Sequence, residues 1–194
     1  TVYPSNYIDV QPEHIRRGND FLRNVARPKL IANAARLSRG PWTIAAAVDE
    51  RGLVATQRFH GVWPVGDMPL EIVAAVLNNP VGNAFVATHR TSRDNQVRVI
   101  KQIPFPSFTA SQIQSIISLV KQYEEYRRQW RERPEHASEF ERLCGDLMRQ
   151  IDAVVLEAYD LPPRLEREVL NYFAGHQRPG PVHFERYYPA DFRP

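Results

Sequence analysis

The side chains best placed to do chemistry in this chain are arginines interleaved with amides. The stretch from Arg27 to Trp42 sets Arg27, Lys29, Asn33, Arg36, Ser38 and Arg39 among apolar residues and ends in an aromatic. A second stretch, His89 to Arg98, carries Arg90, Arg93, Asn95, Gln96 and Arg98. Arg and Lys neutralise phosphates, and Arg, Asn and Gln can read base edges with two hydrogen bonds at once. Taken singly, each stretch is also what a solvated basic turn looks like. Two of them in one chain point to nucleic-acid contact.

Other chemistries lack their residues. The six histidines are scattered, and none stands three or four positions from another, so no metal site is expected. There is no G-x-S-x-G elbow, no phosphate-cradling glycine loop and no G-x-G-x-x-G among only nine glycines. Cys144 falls in the apolar stripe of a helix, which reads as a small core residue rather than a nucleophile. Asn78-Asn79-Pro80-Val81 is close to the N-P-P-aromatic tetrapeptide of adenine-N6 methyltransferases. It lacks the second proline and the aromatic that stacks on a flipped base, so it reads as a helix stop. No catalytic residue is expected on this chain.

Charge is unevenly spread. The net +3 divides into +5 over residues 1–109 and −2 over 110–194, and Arg16 to Arg39 alone carries +6. Arginine outnumbers lysine 22 to 3, which suits bidentate recognition of phosphate and guanine, although a GC-rich genome gives the same ratio. Genome bias does not explain the clustering. With 43% hydrophobic residues the chain is long enough for one substantial core, and a lone cysteine excludes a disulfide framework. Apolar runs such as Ile44 to Val48 are too short to cross a bilayer and no signal peptide is visible, so a soluble cytoplasmic protein is expected. The chain begins at Thr1 rather than Met, which fits a piece of a longer protein.

These residues need elements to hold them. Lys29 to Ala35, Trp42 to Val48 and Leu53 to Trp63 read as strands, with a hairpin-type turn at Asp49-Glu50-Arg51-Gly52. Pro69 opens a helix that Asn78-Asn79-Pro80 stops, a second helix covers Gly82 to Thr88, and Val97 to Ile103 alternates like a strand. After Pro106 the period becomes helical. One helix starts at a Thr109 or Ser111 cap and carries Ile113, Ile116, Ile117, Val120, Tyr123 and Trp130 on one side. A break at Pro134 leads to a second, with apolar residues recurring from Phe140 to Ala158, and the two predict an antiparallel helical hairpin. A third helix spans Arg164 to Phe173. The Pro- and aromatic-rich remainder reads as an arm or tail.

In this order the pieces resemble a known family. Arg27 to Ile31 (R-P-K-L-I), the segment Trp42 to Trp63, Leu77-Asn78-Asn79, Gln102 to Pro106 (Q-I-P-F-P) and the set Ile151, Asp152, Val155, Tyr159 and Leu161 are similar to the TaqI-like C-terminal specificity domain of adenine-N6 DNA methyltransferases. They are more distantly similar to the target-recognition domains of type I restriction–modification specificity subunits. The resemblance covers Arg27 to Phe173; Asn79 stands where Ser is commoner, and the helical portion is longer than in many relatives. The patterning along the chain predicts an α+β fold: a mixed α/β globule with β-hairpins over residues 1–108, a helical hairpin and third helix over 109–175, and an arm over 176–194. The resemblance implies that the globule is a target-recognition unit that sits in a groove of double-stranded DNA, with Lys29 and its neighbours near the DNA. A methyltransferase catalytic domain or separate subunit would supply S-adenosylmethionine chemistry, no cofactor being held by this chain. The competing expectation is a protein-interaction adaptor, in which the helical hairpin around Trp130 is the working surface and the basic patch is incidental.

Overall fold

A computed structural model describes residues 24–55, 57–176 and 178. It has three strands, β1 (Lys29–Asn33), β2 (Ala46–Asp49) and β3 (Phe59–Val62), in one antiparallel sheet of order β2-β1-β3. The order corrects the expected hairpin between the second and third strands. Both pair with β1, Leu30 lying opposite Val48 on one side and Val62 on the other. β1 takes the centre because Leu30, Ile31 and Ala32 give it apolar side chains on both faces, and all three are buried. Asp49-Glu50-Arg51-Gly52 is still a turn. The Asp49 carboxylate accepts from the amides of Arg51 (3.0 Å) and Leu53 (2.8 Å), and Gly52 adopts φ +70°, which favours glycine.

The helices follow in chain order: α1 (Leu70–Asn78), α2 (Pro80–His89), the single turn α3 (Val97–Ile100), α4 (Ala110–Glu132), α5 (Ala137–Tyr159) and α6 (Pro163–Asn171). The fold is α+β. Helix α3 replaces the strand expected from Val97 to Ile103. Val99 and Ile103 are buried and Ile100 half-buried, a helical spacing, while Val97 faces solvent. α4 opens with a capping box between Thr109 and Gln112, and Pro134–His136 makes a 3₁₀ turn before α5. α4 and α5 are antiparallel: Gln112 near the start of α4 donates to Glu157 near the end of α5 (3.3 Å), and Tyr126 meets Phe140 at the far end. Among the described residues no single helix is long and apolar enough to cross a membrane.

One core runs across the change of pattern near residue 108. Leu30, Ala32 and Ile44 pack with Ile72, Val76 and Leu77 of α1, and with Ile116 and Val120 of α4 and Ile151 and Val155 of α5. The segments that carry the family resemblance also interlock. Asn78 exchanges two hydrogen bonds with the backbone of Ala46 (2.8 and 2.9 Å), Asn79 donates to the Asp152 carboxylate (3.2 Å), and the Tyr159 hydroxyl donates to Pro104 O (2.7 Å). Asn79 also caps α2 by accepting from Val81 N (2.9 Å). A serine there has the oxygen for the cap but no second arm for Asp152.

Cys144 is fully buried, and burial pushes its thiol from the ordinary 9.0 up to about 11. Burial pushes the Tyr123 and Tyr159 phenols up as well. In each case the folded chain keeps the proton to higher pH than the unfolded chain does. Stability is therefore fully present below about pH 9 and falls as pH rises toward 11, by roughly 1–3 kcal/mol for a shift of this size in Cys144 alone. Denaturant midpoints should be flat near neutrality and decline above pH 9, and Cys144→Ala should flatten part of the decline. Rapid iodoacetamide labelling of the native chain at neutral pH would contradict this burial.

Candidate nucleic-acid interface

The two basic stretches lie about 60 residues apart in sequence, and the fold sets them side by side. Ala35 forms a β-bridge with Asp94, and Asn95 N donates to Ala34 O (2.7 Å). A third segment joins them where β3 begins: Ala34 N donates to Arg58 O (2.8 Å), and His60 Nε2 donates to Asn95 O (2.9 Å). Together residues 34–45, 57–60 and 90–98 carry Arg36, Arg39, Arg58, Arg90, Arg93 and Arg98 against a single acid, Asp94. Arg39, Arg58, Arg93 and Arg98 are exposed, and Arg36 and Arg90 are half-buried. Such a concentration of one sign raises the local potential and draws a polyanion.

Amides build the platform beneath these arginines. The loop between β1 and β2 contains Trp42, Thr43 and Ile44, which are buried and were expected to be strand. Its amides find side chains in place of a neighbouring strand. Asn83 Oδ1 accepts from Thr43 N (2.9 Å) and Ile44 N (3.0 Å), and Asn33 Oδ1 accepts from Ala45 N (2.7 Å). Thr43 O accepts from Asn33 Nδ2 (2.9 Å), Asn95 Nδ2 (2.8 Å) and Leu37 N (3.1 Å). At the tip, Ser38 Oγ donates to Trp42 O (2.7 Å) and accepts from Gly40 N (3.1 Å), so the residues flanking Arg39 are tied to each other.

Several expected contact residues are therefore structural. Asn33 and Asn95 are 9% and 1% exposed, and their amides serve the loop backbone rather than an outside base. Ser38 closes the tip of the loop. Lys29 is the largest correction: it is 3% exposed, its ammonium lies 2.5 Å from the Asp49 carboxylate and donates to Val25 O (2.8 Å), and it is not offered to a phosphate. Arg27 is exposed, donating to Asn24 Oδ1 (3.4 Å), but it stands at the other end of β1, about 13 Å of strand from Asn33. Gln96 is half-buried; its side chain accepts from Arg98 Nε (3.1 Å) and donates to Ser92 Oγ (3.1 Å). Arg98 Nη2 also donates to Thr91 Oγ1 (2.9 Å), which orders that guanidinium along the loop. Arg58 and His60 were missed in sequence. Only the pairing of Phe59 with Asn33 brings them to this edge, and register is not written in composition.

Trp130, the residue on which the adaptor reading turned, is half-buried, with the Arg127 guanidinium 4.6 Å from its ring centre. Comparison with protein-family models, with curated proteins and with solved structures returned no match for this chain.

Proposed function

We propose that this chain is the DNA sequence-recognition module of a restriction–modification or adenine-N6 methyltransferase system, without catalytic residues of its own. The single observation carrying the reading is the convergence of three sequence-distant basic segments on one edge, six arginines against one acid, over a platform locked by buried amides. Exposed arginines supply phosphate contacts, and a rigid loop beneath them is what bidentate base reading requires. The interlock of Asn78 with Ala46, Asn79 with Asp152 and Tyr159 with Pro104 supports the family resemblance, since the residues that suggested it are those that join the segments. On this reading the module works on double-stranded DNA in the cytoplasm. Methyl transfer from S-adenosylmethionine belongs to a catalytic domain or subunit.

Fluorescence anisotropy with a labelled duplex tests this. Affinity should fall steeply between about 50 and 200 mM salt, each neutralised phosphate adding about 0.9 to the log–log slope. Replacing Arg39 and Arg93 together by Ala should flatten that slope by up to about 2, and either change should cost about 1–3 kcal/mol on a cognate duplex if that arginine reads a base. Binding that ignores salt, or a double variant that binds like the parent, would overturn the proposal.

A further inference from the structure

The basic loop is held from outside as well as from within. Arg178, beyond α6, is 6% exposed and reaches three parts of the fold. Its Nη1 donates to the Asp152 carboxylate on α5 (2.7 Å), its Nη2 donates to Asn78 O at the end of α1 (2.6 Å), and its guanidinium lies 4.6 Å from the centre of the Trp42 ring. Trp42 also packs against Phe173, with ring centres 4.2 Å apart. Two residues earlier, the His176 ring sits against Gly40 so closely that a Cβ on Gly40 would lie 2.6 Å from its Nδ1. Gly40 and Trp42 belong to the same tight tip as Arg39, which is exposed immediately before Gly40.

We infer that His176 and Arg178 form a strap that fixes the tip of the basic loop, making Arg178 a positioning residue for base selection that never touches DNA. The inference rests on the DNA-recognition reading and adds how selectivity is set. Its logic is a division of labour. Contact with phosphates tolerates a mobile loop, because the attraction is long-ranged and undirected. Bidentate contact with a base edge does not, and an arginine on an unfixed loop must be ordered at the moment of binding. A buried guanidinium already engaged with a carboxylate, a carbonyl and an indole is not offered to a phosphate. What it controls is where Arg39 stands.

The experiment uses the full chain, a random-sequence duplex, and the duplex that the parent protein enriches from a randomised pool. Arg178→Gln should lower the affinity ratio of enriched to random duplex about tenfold, the size of one bidentate contact, while the salt slope on the random duplex stays unchanged. Gly40→Ala, which displaces His176 without touching the ion pair, should do the same, and it carries the test if Arg178→Gln does not fold. Hydrogen exchange at Ser38 to Thr43 should speed up in both. An unchanged ratio overturns the strap, and so does a slope that flattens along with the ratio, since Arg178 would then be contacting phosphate. If the parent binds no duplex, the DNA reading fails and selectivity with it. Faster exchange in the variants would then show that the loop is strapped for some other purpose.

Discussion

Asp49→Ala should destabilise the chain by about 3–5 kcal/mol, a large part of the 5–15 kcal/mol that typical domains possess. Lys29 lies in the central strand with Ile31 buried on the same face, and its ammonium is shielded from water. Removing the carboxylate leaves that charge with only Val25 O among the described residues, and also strips acceptors from Arg51 N and Leu53 N. A surface pair would cost a fraction of this, because water replaces the lost partner. The burial also predicts the rescue. Lys29→Met combined with Asp49→Leu removes both charges, and should recover most of the loss, since apolar replacements of buried pairs are often neutral or better. Urea melts followed by circular dichroism measure both quantities. A single-variant loss below about 1 kcal/mol would mean that Lys29 reaches solvent. On the proposed DNA-recognition reading the double variant should match the parent's affinity for duplex DNA, which separates this lysine from the basic edge.

Asn83→Ala should cost about as much, by a different route. Asn83 is wholly buried on α2, and its one oxygen accepts from two consecutive amides, Thr43 and Ile44, while its nitrogen donates to Leu77 O (3.2 Å). Truncation orphans both amides and the carbonyl, each worth about 1–3 kcal/mol if water cannot enter, and opens a small void besides. A total of roughly 3–5 kcal/mol is expected, since part of the loop can shift to recover a partner. Native-state hydrogen exchange gives the sharper test. Thr43 and Ile44 should lose protection beyond the global loss, because both amides donate to that side chain. Protection that falls uniformly across the chain would show that the loop is held elsewhere.

What the sequence revealed and what it concealed divide along locality. The Thr109 capping box, the Pro134 break and the apolar series from Phe140 onward are written within a few residues of the structure they produce, and the helical hairpin follows from them. The sheet does not. Placing β1 between β2 and β3 depends on partners 14 and more positions away, and a turn at Asp49 to Gly52 looks the same whether or not a hairpin follows. Val97 to Ile103 satisfied both periods over so short a run, and burial of Val99 and Ile103 decided for the helix. The basic edge was half legible. Charge singled out two loops that the fold does set side by side, but residue type alone cannot tell an amide that reads a base from one that feeds a backbone, and Asn33 and Asn95 feed a backbone. A hint was present for Lys29 and Asn33: both bracket the apolar run Leu30-Ile31-Ala32, so both lie in a strand buried on each side.

The position of Arg178 has a consequence in time. It follows Asn78, whose carbonyl it binds, by 100 residues. At about 5–20 residues per second of synthesis, the end of α1 waits roughly 5–20 s for its arginine. Trp42 waits longer still, for Phe173 as well as for Arg178. A nascent chain therefore displays its arginine-rich edge well before the loop that aims it is locked. A product ending shortly before residue 178 would keep the arginines of the edge and lose the strap; on the proposed DNA-recognition reading it would hold nucleic acid without choosing among sequences.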